Sequence, residues 1–372
     1  MHGGNLRQAR EVYGLSSFLD LSANINPFGP PESVWDKIKE TLPEIVNYPD
    51  PESKQLRTEL ASLFKLPLNW IMAGNGAGEL LFTLAQALKP GKVAIPIPSF
   101  SEYEHASRAV AADISYIPLG AQGWAGLPPL ITLQDKADFK NVWRQYLRGC
   151  DLLFLCSPHN PTGSVISREH FRLLLEITEE LDCQIIFDES FYDFLPEETR
   201  WSARSDLSDN PHLIVLYSMT KFFSLPGLRL GVCFASPEVI SQSRRYRDPW
   251  SVNVLAEQAG IAALQDKLYP AQVRLKLAAS KEFFQTNFAK QAFPSLKLWP
   301  GAVNFVLIQL LDRPSGEFVT ELAGQGILVR DCANFKGLQG SFVRIAIKDI
   351  PSMQRLLDSL GLLTSKSAVP QD

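Results

Sequence analysis

The stretch SMTKFFSLPGLRLG, Ser218–Gly231, sets one lysine between hydroxyl residues and an apolar run, with Arg229 on the far side of a Pro-Gly break. A buried ammonium is costly unless it is paired or gives up its charge, so Lys221 needs a partner or a reaction to account for it. The run that leads into it, HLIVLYS (212–218), is almost continuously apolar and short, which predicts a strand covered on both faces. Working outward, KVAIPIP (92–98), DLLFLCSP (151–158), CQIIFDE (183–189) and LRLGVCFA (228–235) read the same way. Helix-period segments lie between them. Ser167 is placed to cap one whose apolar positions are Phe171, Leu174, Leu175 and Leu181. The alternation predicts an α/β fold with a mostly parallel central sheet and helices on both faces.

After Asp248-Pro249-Trp250 the pattern turns helical and then returns to strands in VNFVLIQL, GILVRDC and SFVRIAIK. That change predicts a smaller α+β domain at 261–372, following a large α/β domain at 46–260. Residues 1–45, rich in Gly, Pro and Asn and without a strong period, read as an arm that covers rather than forms a core. The 372 residues are 45% apolar, enough for a large core, and the net charge of −4 is spread without a basic block. Neither nucleic acid nor a membrane surface is expected as a partner. No run approaches the ~18 apolar residues of a membrane span, and the N-terminus lacks the apolar stretch of a signal peptide. The five cysteines, Cys150, Cys156, Cys183, Cys233 and Cys332, are odd in number and widely spaced, as expected of reduced thiols in a cytoplasmic protein with no metal site.

In an open α/β sheet, ligands bind beyond the carboxyl ends of the strands. Asp188 ends the apolar IIFD, Asn160 lies in SPHNPTG just beyond DLLFLC, and Lys221 follows LIVLYS. Each alone has an ordinary explanation as a cap, a turn or a surface charge; together, at successive strand ends, they form a constellation. A fourth part is AGNGAGELLFTLAQALKPG, where Leu80, Leu81, Leu84 and Leu88 mark a helix starting near Gly76, Ala77 and Gly78. Small residues there leave backbone N–H groups open to a phosphate. The glycines do not make GxGxxG, so a monophosphate fits better than a dinucleotide. Pyridoxal 5′-phosphate requires these groups: an amine (Lys221), a buried anion for the pyridine nitrogen (Asp188) and a donor for the ring oxygen (Asn160). The Ser218 and Thr220 hydroxyls and the Arg229 guanidinium would complete its phosphate site.

These residues carry a resemblance. NPTG at 160–163, DES at 188–190, SMTK at 218–221 and GLRLG at 227–231 make the chain resemble a fold-type-I pyridoxal-phosphate enzyme of the aminotransferase class I/II group, over nearly its whole length. The resemblance implies that Lys221 is the Schiff-base residue and that Phe100, in PSFSEY, stacks on the cofactor ring. It also implies a homodimer in which Tyr48, in NYPDP, reaches the neighbouring subunit's cofactor phosphate. Arg344, Arg330, Asn24 and His2 are then the candidates for the substrate's anionic groups.

Within the group the chain is most similar to two families, the threonine-phosphate decarboxylases of cobalamin biosynthesis and the histidinol-phosphate aminotransferases. HGGNLRQA, LSANINPFGPP, DPWSVNVLAEQAG and DESFYDF favour the first. Phe191 stands where typical aminotransferases carry a tyrosine that donates to the ring oxygen, and Tyr192, on the opposite face of an extended segment, is a poor substitute. The expected reaction is decarboxylation of O-phospho-L-threonine to (R)-1-amino-2-propanol O-2-phosphate. The alternatives are transamination of histidinol phosphate and a non-catalytic α/β ligand-binding protein.

Overall fold

A computed structural model describes residues 3–119, 136–338 and 340–366, and His2 lies outside the described residues. In chain order the first eight strands are β1 (Leu19–Asp20), β2 (Ile71–Gly74), β3 (Lys92–Ile97), β4 (Asp113–Pro118), β5 (Leu152–Cys156), β6 (Gln184–Asp188), β7 (Leu213–Ser218) and β8 (Gly231–Phe234). Seven of them form one sheet in the order β2-β8-β7-β6-β5-β3-β4. All its neighbours are parallel except β8, which runs against both β2 and β7. The five apolar runs are all strands of this sheet, but LRLGVCFA starts late. Its first residues form a turn in which Arg229 has a φ of 60°, so pairing begins only at Gly231. The sequence reading missed β2 and β4, the two edge strands. β2 is four residues long and β4 is largely uncovered, so neither offers a long apolar run.

Alternation along the central strands sends side chains to two separate cores. Leu153, Leu155, Ile185, Phe187 and Val215 pack against Phe171 and Trp143 on one face. Leu152, Phe154, Ile186, Ile214 and Leu216 pack against Leu80, Leu84 and Tyr103 on the other. The expected helices are present at Gly76–Leu88 and Arg168–Glu180, the second capped by Ser167, whose hydroxyl accepts from the His170 N–H. All five cysteines are buried and none is in a disulfide.

The C-terminal strands are β9 (Leu296–Trp299), β10 (Phe305–Leu310), β11 (Ile327–Leu328), β12 (Arg330–Asp331) and β13 (Ser341–Ala346). An antiparallel sheet in the order β12-β13-β10-β9 is flanked by helices Tyr269–Gln291 and Ile350–Lys366. The N-terminal segment is more regular than its composition suggests. It holds helices at Leu6–Tyr13 and Glu32–Thr41, and β1 pairs in parallel with β11. Just beyond β1, Leu21 is fully buried and its carbonyl accepts from the Ala346 N–H. This pairing ties residues 22–26 to the small sheet and sends them along the wall of the main cleft. Among the described residues no helix is long and apolar enough to cross a membrane, and no His, Cys, Asp and Glu cluster could hold a metal ion.

Candidate active site

A cleft of about 650 Å³ opens at the carboxyl ends of β5, β6 and β7. Asp188, Asn160, Ser218, Thr220, Lys221 and Arg229 all line it. Asp188 is buried as the last residue of β6. Its Oδ2 accepts from the Tyr103 hydroxyl at 2.6 Å and its Oδ1 from the Ser190 N–H at 2.8 Å. A carboxylate has about four lone-pair sites, so acceptor capacity remains for a cation in the cleft.

Lys221 sits on the one-turn helix Met219–Phe222 that follows β7. Its Nζ donates to Ser218 Oγ at 3.3 Å and stands 5.1 Å from the centre of the Phe191 ring. Burial lowers its pKa, and the nearby Asp188 charge opposes that only in part. The amine is therefore easier to deprotonate than an exposed lysine, as a nucleophile requires. The arm fixes its backbone: the Asn26 N–H donates to the Lys221 carbonyl at 3.0 Å, and Asn26 Nδ2 donates to the Phe222 carbonyl at 2.8 Å. Asn26 was not among the residues read from the sequence; its signal was only a polar residue inside an apolar-flanked arm.

The anion end of the cleft is built by close approach. Gly76 has a φ of 84°, and a Cβ there would lie 2.5 Å from Arg229 Nη2. A Cβ on Gly231 would lie 2.4 Å from the Ala77 nitrogen, so β8 can touch this turn only because GLRLG ends in glycine. Asn75, at the N-cap of the helix Gly76–Leu88, makes no side-chain cap bond, and Ala77 and Gly78 line the cleft. First-turn N–H groups are thus left for an anion. Ser218 Oγ and Thr220 Oγ1 lie 2.8 Å apart beside them. Arg229 completes the ring from a left-handed backbone, a conformation costing ~1–2 kcal/mol that the surrounding turn must offset.

On the opposite wall, Arg330 and Arg344 face each other in register across β12 and β13, both buried. Arg344 donates from Nη1 to Asn160 Oδ1 and from Nη2 to the Ser22 carbonyl at 3.1 Å. Because a guanidinium only donates, Asn160 must turn its oxygen to Arg344, which leaves its NH₂ for a ring oxygen. Burial pushes the Arg344 guanidinium down to about 10. Arg330 donates to Asn334 Oδ1 at 2.7 Å. Asn24 also lines the cleft, buried, with neither amide atom hydrogen-bonded among the described residues. Phe100 lines it too, with its ring edge-on to Tyr103. Tyr48 does not: it is 81% exposed and packs on Trp250. Phe191 is buried at the cleft against Phe305, whereas Tyr192 points to Arg200 and Arg204. Among the described residues the one tyrosine lining the cleft is Tyr103, whose hydroxyl donates to Asp188.

These groups fit pyridoxal 5′-phosphate: the spare acceptor capacity on Asp188, the oriented Asn160 amide, the desolvated Lys221 amine and the glycine-lined anion cradle. The sheet order, the antiparallel β8 and this donor set define a fold-type-I enzyme of the pyridoxal-phosphate class. The chain belongs to the aminotransferase class I and II family, whose model matches residues 16–360. It is 38% identical to the threonine-phosphate decarboxylase of Salmonella typhimurium, covering 96% of this chain and 95% of that protein. It is 30% identical to the histidinol-phosphate aminotransferase of Symbiobacterium thermophilum, covering 96% and 94%. The solved L-threonine-O-3-phosphate decarboxylase from Porphyromonas gingivalis superposes with a TM-score of 0.79 at 25% identity, covering 94% of this chain and all 100% of that one.

Proposed function

We propose that this chain decarboxylates O-phospho-L-threonine to (R)-1-amino-2-propanol O-2-phosphate, a step of cobalamin biosynthesis. The observation that carries the reading is the composition of the cleft wall. Two buried guanidiniums, Arg330 and Arg344, suit a dianionic phosphate, while the wall beside Lys221 is the hydroxyl-free ring of Phe191. The 38% identity to a threonine-phosphate decarboxylase, against 30% to a histidinol-phosphate aminotransferase, supports the same choice.

When bound, pyridoxal 5′-phosphate supplies an electron sink for the pair left by the bond that breaks at the substrate Cα. The residues that hold the substrate would select which of its Cα bonds breaks. Arg330 and Arg344, with Asn24 beside them, take the phosphate. The α-carboxylate would then be free to turn toward the Phe191 ring beside Lys221. Asp188 would hold the ring nitrogen protonated, Asn160 would donate to the ring oxygen, and Phe100 would cover the ring face. The Cα–carboxylate bond would break, carbon dioxide would leave, and Lys221 Nζ would return a proton to Cα.

The exposed Trp35, Ile45, Val46 and Tyr48 support a homodimer in which a second copy covers this surface and Tyr48 reaches the other cofactor phosphate. The test incubates the enzyme with O-phospho-L-threonine alone, and separately with histidinol phosphate plus 2-oxoglutarate. Carbon dioxide release in the first arm without any amino acceptor is expected. Robust glutamate formation in the second, with no carbon dioxide in the first, would establish transamination instead.

A further inference from the structure

The helix Ser101–Ala109 begins one residue after Phe100, and its third residue, Tyr103, is buried with its hydroxyl 2.6 Å from Asp188 Oδ2. Its ring is held from two directions. Phe154 of β5 stacks on it at 5.0 Å with an interplanar angle of 10°, and Phe100 meets it edge-on at 5.8 Å. Phe154 lies two residues before Cys156, which pairs in register with Asp188 across β5 and β6. The sheet therefore sets the distance between the hydroxyl and the carboxylate. An ionised carboxylate only accepts, so the phenol proton is committed to Asp188. Burial, with the carboxylate adding to it, pushes the phenol well above its usual range, which keeps it a donor.

Two donors on two different oxygens fix the plane of a carboxylate as well as its charge. With Ser190 N–H on Oδ1 and Tyr103 on Oδ2, Asp188 cannot rotate about its last torsion without breaking one of them. The lone pairs left over then have a set direction. We propose that Tyr103 is a positioning residue for the cofactor's ring nitrogen: its hydroxyl holds the Asp188 carboxyl in plane, and Asp188 in turn would bind the protonated nitrogen. The proposal rests on the cofactor part of the functional reading alone and is indifferent to whether the enzyme decarboxylates or transaminates. It also unites two functions in one helical turn, because Phe100 would cover the ring face while Tyr103 braces the residue that holds its nitrogen.

The rival role for Tyr103 is to fill space between Phe100 and Phe154, and phenylalanine would fill it equally well. Tyr103→Phe keeps both ring contacts and deletes only the hydroxyl. Wild-type and variant apoenzymes are titrated with pyridoxal 5′-phosphate and with its analogue carrying C–H in place of the pyridine nitrogen, followed by tryptophan fluorescence. We expect the variant to bind the natural cofactor about tenfold more weakly, ~1.4 kcal/mol, and the carbon analogue almost unchanged. In an Asp188→Ala background the same substitution should have little further effect, because the hydroxyl acts through that carboxylate. Equal weakening toward both ligands would reduce Tyr103 to a packing residue, and unchanged binding of both would make its hydroxyl idle; either overturns the proposal. Failure of the wild type to bind pyridoxal 5′-phosphate would instead sink the cofactor assignment itself.

Discussion

His159 offers a prediction whose size follows from its surroundings. It is buried beside Asn160, and its Nδ1 lies 2.8 Å from Thr162 Oγ1. Burial lowers its pKa to about 4 from an ordinary 6.5, and the Pro98 carbonyl opposes this only weakly. Between those two values the unfolded chain holds a proton that the folded chain does not. Stability therefore rises with pH across that window and is lost as pH falls from 6.5 toward 4. Integrating the proton difference from about pH 7.5 to about pH 5 gives a loss of ~2 kcal/mol from this one ring, a sizeable share of a net stability of roughly 5–15. His159→Gln keeps an acceptor and a donor but cannot titrate. Urea-unfolding midpoints of the two apoproteins, at fixed protein concentration, should show the wild type losing about 2 kcal/mol more than the variant over that pH step. Equal acid losses in both proteins would show that the ring is charged or solvated in the fold, and the reasoning from its burial would be refuted.

Two further outcomes follow from the same site. Gly231→Ala places a Cβ 2.4 Å from the Ala77 nitrogen, a backbone atom that cannot swing aside, so the anion cradle should open and cofactor affinity should fall at least tenfold, read by apoenzyme titration. Lys221→Ala should abolish the adduct fixed by borohydride in the presence of pyridoxal 5′-phosphate, and peptide mapping that finds the wild-type adduct on another lysine would reject the assignment.

The parts legible in the sequence are those where the fold forces a rare residue into an apolar setting. Asp188 at the end of IIFD, Asn160 after DLLFLC and Lys221 after LIVLYS stand out because strand burial makes any polar residue there costly. The structure brings all three to one cleft. What was not legible is long-range. Tyr103 reads as one more aromatic on an amphipathic helix, and its bond to Asp188 spans 85 residues of chain. Asn26 lies in a segment without periodicity, and its hold on Lys221 depends on β1 pairing with β11, two strands of two residues each. Pairings so short leave no pattern of period two to detect. Arg330 and Arg344 were legible as charges in apolar strands, but their facing register follows from the hairpin-like pairing of β12 with β13, not from their spacing.

Under the proposed reading, Arg344 would also link the substrate to the cofactor. Arg344 already gives one donor to Asn160 Oδ1 and another to the Ser22 carbonyl, while its Nε is buried with no acceptor among the described residues. A buried donor left unmade costs ~1–3 kcal/mol, so an arriving anion that accepts from Nε recovers that cost. Any pull on the guanidinium is transmitted to the amide of Asn160, because only the oxygen end of that amide can face Arg344. Arg330 donates to Asn334 in the loop beyond β12. Under the proposed reading, Arg344 would thus report the arrival of substrate to the donor on the ring oxygen, and Arg330 would add positive charge to the same wall. A lysine at 344 would keep the charge but lose the planar fork that serves Asn160, Ser22 and an incoming anion at once, so it would not preserve the coupling.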